Sequence, residues 1–141
     1  MSGELRRGAE LPVERQRAVG WSLLSRFAEQ ELRRGRSAVL DLVAREQPRT
    51  EWAALAADYD APLFVVECVC SDRAVHGARV EGRRRDIPGW YELDWAHVER
   101  GRDTYVPLTE PKLVIDAVDP FVDNLALVRR HLGLVGPDGS L

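Results

Sequence analysis

Over residues 12–34 the apolar positions Trp21, Leu24, Ala28 and Leu32 recur three or four residues apart, with Leu23 and Phe27 widening the stripe. That period predicts a long amphipathic helix. Pro12 suits its first turn and Gly35 suits the left-handed position just past its end. The pattern then changes. Ser37-Ala38-Val39-Leu40-Asp41 reads as a buried parallel strand that delivers one carboxylate at its C-terminal end. A second helix is predicted over 48–58, with Trp52, Leu55 and Ala56 on one side. Residues 62–70 form a nearly continuous apolar run, the pattern of a strand covered by helices on both faces. Ser71 or Asp72 is placed to cap a third helix reaching to about Arg84. Residues 85–110 are richer in Gly, Pro, Trp and charge, and predict an irregular flap around a short helix near 94–102. Lys112-Leu113-Val114-Ile115-Asp116 is a third strand, again ending in Asp, and Asp119-Pro120 opens a last helix to about Leu132. The ends, 1–11 and 134–141, are expected to be mobile. Helices alternating with single strands imply an α/β fold, a parallel sheet flanked by helices.

Composition narrows this picture. A chain of 141 residues with 45% hydrophobic and 30% charged positions suits one soluble globular domain. Its net charge of -3 supplies no global field towards nucleic acid or anionic lipid, so neither is expected as a partner. No apolar stretch approaches the roughly 20 residues of a membrane span. Cys68 and Cys70 read as free thiols of a reducing compartment, which places the protein in the cytoplasm. His76, His97 and His131 follow no ligand spacing, and no G-x-S-x-G elbow is present.

The candidate chemistry sits where strands end. In open α/β sheets ligands bind outside the carboxyl ends of the strands, so Asp41 and Asp116 either face a ligand or metal or serve to start the next turn. Arg45 and Arg49 in the following loop suit an anionic group or a surface ion pair. Arg79, Arg83, Arg84 and Arg85 make the strongest local charge feature, either a solvated helix end or a lid over phosphates.

Several of these pieces occur together in one known group. A long helix, Gly35-x-Ser37-x-Val39-Leu40-Asp41, the arginines 45 and 49, the run Pro62-Leu63-Phe64-Val65-Val66-Glu67-Cys68, Ser71-Asp72 opening an arginine-ended helix, and Tyr105-x-Pro107 before a final strand resemble the later part of the small P-loop kinases. These are the kinases related to gluconate kinase, chloramphenicol phosphotransferase and the zeta-toxin group, and the resemblance covers about residues 12–133. It implies an ATP- and Mg²⁺-dependent kinase of a small hydroxylated molecule. Asp41 would then stand at the Walker B position, both catalytic and metal-binding. Arg79, Arg83 and Arg84 would reach over the nucleotide phosphates, Arg45 and Arg49 would bind substrate, and Asp116 would border the adenine.

One departure is large. The chain has no G-x-x-x-x-G-K-[ST], whose backbone N–H groups wrap the phosphates, and its only lysine is Lys112. The resemblance therefore implies an incomplete P-loop NTPase, nucleoside-kinase-like, missing its central first strand and N-terminally truncated. Such a chain is expected to be inactive alone. The other expectation is a degenerate, non-catalytic module that binds a nucleotide, metabolite or partner protein, with an open sheet that favours self-association.

Overall fold

The computed structural model describes residues 13–43, 46–84, 86, 93–107 and 111–134. The chain divides into two compact units, 1–63 and 64–141.

The first unit pairs α1 (Val13–Arg33) with α2 (Glu46–Asp58). Their contact runs through small and amphipathic side chains. Ala28 and Ala56 are buried, the Trp52 indole Nε1 donates to Ser25 Oγ at 2.8 Å, and Arg33 Nε donates to the Tyr59 hydroxyl at 2.9 Å. Of the apolar stripe on α1, Trp21, Leu24 and Leu32 are half-buried beside Ala28, whereas Leu23 and Phe27 are exposed. The inward stripe is thus narrower than its sequence suggested. Glutamates and arginines line the end of α1: Glu29 pairs with Arg26 and Arg33, and Glu31 with Arg34 and Arg36. Such exposed pairs contribute little individually. The helix stops at Gly35, whose φ of 67° permits a Schellman turn in which Arg36 N donates to Glu31 O and Gly35 N to Leu32 O. α2 ends the same way with Asp60 in the left-handed position and Ala61 N donating to Ala56 O.

The predicted strand at 37–41 is not formed. Ser37 to Asp41 belong to no ladder, Val39 is 94% exposed, and Asp41 lies on the surface. The reason is physical: a strand is defined by its partner, and among the described residues nothing hydrogen-bonds to this segment.

The second unit contains β1 (Val66–Val69), α3 (Arg73–Gly82), α4 (Trp95–Asp103), β2 (Leu113–Asp116) and α5 (Phe121–His131). β1 and β2 pair in parallel with Val66 opposite Leu113 and Val69 opposite Asp116, so the fold is α/β with a small two-stranded parallel sheet. β1 is shorter than the apolar run 62–70, and it is not covered on both faces, since Cys68 and Val69 are exposed. Asp72 caps α3 by accepting from Ala74 N and Val75 N at 2.8 and 3.0 Å, and Asp94 caps α4 by accepting from His97 N at 2.7 Å. α4 docks on α3 through Trp95, which lies over Gly77 and meets His76 edge to face at 5.2 Å. Arg73 stacks over the same indole and pairs with Glu99. Phe64 meets His131 edge to face, which sets the C-terminal end of α5 beside the approach to β1. Gly133, with φ of 67°, closes α5 by a further Schellman turn, Leu134 N donating to Arg129 O.

Candidate functional site

Parallel pairing brings the carboxyl ends of β1 and β2 together, and each strand runs into the start of a helix there. Asp116 closes β2 and holds the two loops to one another. Its Oδ1 accepts from Val118 N at 3.0 Å, within its own turn, and from Ser71 N at 3.2 Å, across in the loop after β1. The Ser71 side chain is the largest influence holding the Asp116 carboxyl below the usual carboxylate range; the Val118 and Ser71 backbone N–H groups and the positive charge of Arg79 act the same way. The Asp116 carbonyl accepts from Asn124 Nδ2 at 2.6 Å, and the Arg79 guanidinium donates to Ala117 O at 2.8 Å. Both side chains come from helices that begin at this end. Asn124 is buried, and its Oδ1 has no hydrogen-bond partner among the described residues.

Of the expected site residues, Arg79 and Asp116 are therefore brought together. Arg83 and Arg84 follow α3 as exposed side chains, and neither makes an ion pair or side-chain hydrogen bond among the described residues. Asp41 and Arg49 belong to the first unit, Asp41 exposed and Arg49 half-buried in the first turns of α2. Arg45 lies outside the described residues, as do Arg85, Trp90 and Tyr91 of the flap. Among the described residues no three His, Cys, Asp or Glu side chains gather to hold a metal ion.

No protein-family model matches this chain, and no curated protein or solved structure matches it significantly. The functional reading rests on its own residues.

A second polar cluster was not anticipated. Glu67, in the middle of β1, pairs through Oε2 with Lys112 Nζ at 2.7 Å and through Oε1 accepts from the Tyr105 hydroxyl at 2.5 Å. Both charged side chains are largely shielded, at 13% and 17% exposure. The signal was present in the sequence: a lone carboxylate inside an apolar run, and a lone lysine at the mouth of the neighbouring strand. Buried charge of one sign demands the other.

This cluster bears on whether the residues fit a nucleotide triphosphate with Mg²⁺. Lys112 is the only lysine, and it is held by Glu67. Asp116 spends its inner oxygen on backbone N–H groups of the loops. Exposed guanidinium groups remain for an anion, but the described residues form no cradle for a triphosphate, and no catalytic step is assigned to this chain by itself.

Proposed function

We propose that this chain is the later part of a P-loop-type ATP-dependent kinase for a small hydroxylated molecule. It supplies arginines to the nucleotide side and transfers no phosphoryl group on its own. The observation that carries the reading is the run of Arg79, Arg83 and Arg84 on and after α3, a helix that starts at the carboxyl end of a parallel strand. Arg79 is engaged with the loop after β2, while Arg83 and Arg84 stay available to an anion. Guanidinium groups neutralise charge on phosphoryl oxygens bidentately, which is the electrostatic part of phosphoryl transfer.

The test is calorimetric titration of the chain with Mg-ATP at low salt. Weak binding is expected, with Kd on the order of 1 mM, lost in Arg83→Ala/Arg84→Ala and weakened by added salt, with no ATP turnover. Binding that ignores both substitutions, or its complete absence at about 10 mM nucleotide, sinks the reading.

The second reading is a non-catalytic module that binds a nucleotide, metabolite or partner protein. It is favoured by the engagement of Lys112 with Glu67 and of Asp116 with the loops, which leaves neither poised for chemistry. Supplying a separate P-loop strand-and-helix polypeptide in trans distinguishes the two, because only the kinase reading expects phosphoryl transfer to appear.

A further inference from the structure

Lys112 is the only lysine in the chain, so it carries the one side-chain amine among cations that are otherwise arginines. A neutral amine attacks activated acyl groups, whereas a guanidinium stays protonated and does not.

The fold withholds that amine. Lys112 stands two residues before Val114, the residue opposite Glu67 in the parallel pair, so alternation sets Lys112 and Glu67 on one face of the sheet. Lys112 Nζ donates to Glu67 Oε2 at 2.7 Å, and the Tyr105 hydroxyl donates to Glu67 Oε1 at 2.5 Å, which fixes the carboxylate from its other side. Leu113 N donates to Val65 O at 2.9 Å and pins the backbone next to Lys112. These residues all lie within the second unit, so the grip is internal to it. The Lys112 and Glu67 side chains keep only 17% and 13% exposure. An ammonium engaged as a donor has no lone pair to offer.

We propose that Lys112 is a fold-gated acylation site, closed while β1 and β2 are paired and open to an acyl thioester or acyl phosphate when they part. In the step itself the neutral Nζ adds to the acyl carbonyl. The C–N bond forms as the C–S or C–O bond to the leaving group breaks, thiolate or phosphate departs, and the extra proton on nitrogen passes to solvent. The product is an uncharged amide. It cannot return to Glu67 as a cation, and removing one charge from a shielded pair is strongly destabilising. Acylation and the paired sheet therefore oppose each other, and whatever reacts irreversibly with the open chain draws the folded population down. No kinase activity is needed for this.

Acetyl phosphate, applied to the full chain with and without guanidinium chloride and followed by peptide mass spectrometry, tests the gate. Relative to the N-terminal amine, Lys112 of the folded chain should be acetylated at least about tenfold more slowly than in denaturant, since a reaction confined to open molecules follows their population. After the denaturant is removed, the chain acetylated while unfolded should have a lower urea midpoint than the chain acetylated while folded, or fail to refold. Lys112→Arg keeps the cation without the reactive amine, so the two treatments should leave it with one midpoint. Equal relative rates with and without denaturant overturn the proposal. So does a Lys112-acetylated chain whose midpoint matches its folded-treated counterpart, or a loss of midpoint that Lys112→Arg shares.

Discussion

Asp116 turns its carboxylate back onto the chain, and that decides how it responds to acid. Ser71 first of all, then Val118 N–H and the Arg79 charge, favour its ionised form in the folded state. As pH falls the unfolded chain takes up this proton before the folded one does. The stability contributed by Asp116 is therefore complete above the unfolded carboxyl value, about 4, and is lost as pH drops through the lower folded value. Asp116→Asn keeps the shape and an acceptor but discards the charge. The urea midpoint of the variant should lie below that of the wild type at about pH 6–7, and the two should converge as pH falls through the lowered folded value. A gap that stays constant over the whole range would mean that the carboxylate's charge is irrelevant and only its shape matters. Glu67 plays the other residue-scale part. Its role was legible only as an oddity of composition, because a sequence shows a charge in an apolar run but not the tyrosine and lysine that satisfy it from 38 and 45 positions away.

At the scale of elements, the helices follow from local rules. Asp72 caps α3 as its position suggested, Asp94 caps α4 at the start of the short helix expected near 94–102, and Gly35 terminates α1 where a residue with a Cβ would be strained. These signals lie within a few residues of one another, so sequence alone reveals them. The segment 37–41 has equally good local credentials as a strand and yet forms none, because pairing is a non-local property that no run of residues contains. The same contrast explains why Leu23 and Phe27 were misplaced: helical spacing gives a face, but the neighbouring element decides how much of that face is used. Contact between α3 and α4 offers a measurable case. A Cβ built on Gly77 would meet the Trp95 ring at 3.7–3.9 Å, ordinary van der Waals distance, while glycine in a helix interior costs about 1 kcal/mol relative to alanine. Gly77→Ala should raise stability by up to about 1 kcal/mol in urea unfolding with the Trp95 contact retained. Destabilisation by the added methyl would show that Trp95 sits closer to α3 than this packing has it.

At the scale of the whole molecule, complete burial is sparse among the described residues. Ala28 and Ala56 are the fully buried apolar residues among those described, while valines, leucines and phenylalanines from Val19 to Leu134 remain more than a third exposed. A chain of about 150 residues ordinarily hides more than two thirds of its unfolded surface, and hydrophobic burial is the main term opposing conformational entropy. Any association that removes such surface from water would make stability a function of concentration, since whatever binds only the folded state stabilises it by mass action. A hundredfold excess over the dissociation constant corresponds to about 2.7 kcal/mol, and in a chain of this size each kcal/mol shifts the melting midpoint by about 2–4 °C. Thermal unfolding followed from about 5 to 500 µM tests this, a midpoint that climbs by several degrees being the mark of self-association. A midpoint independent of concentration would show that the folded chain does not self-associate over this range and that its stability comes from burial within one copy.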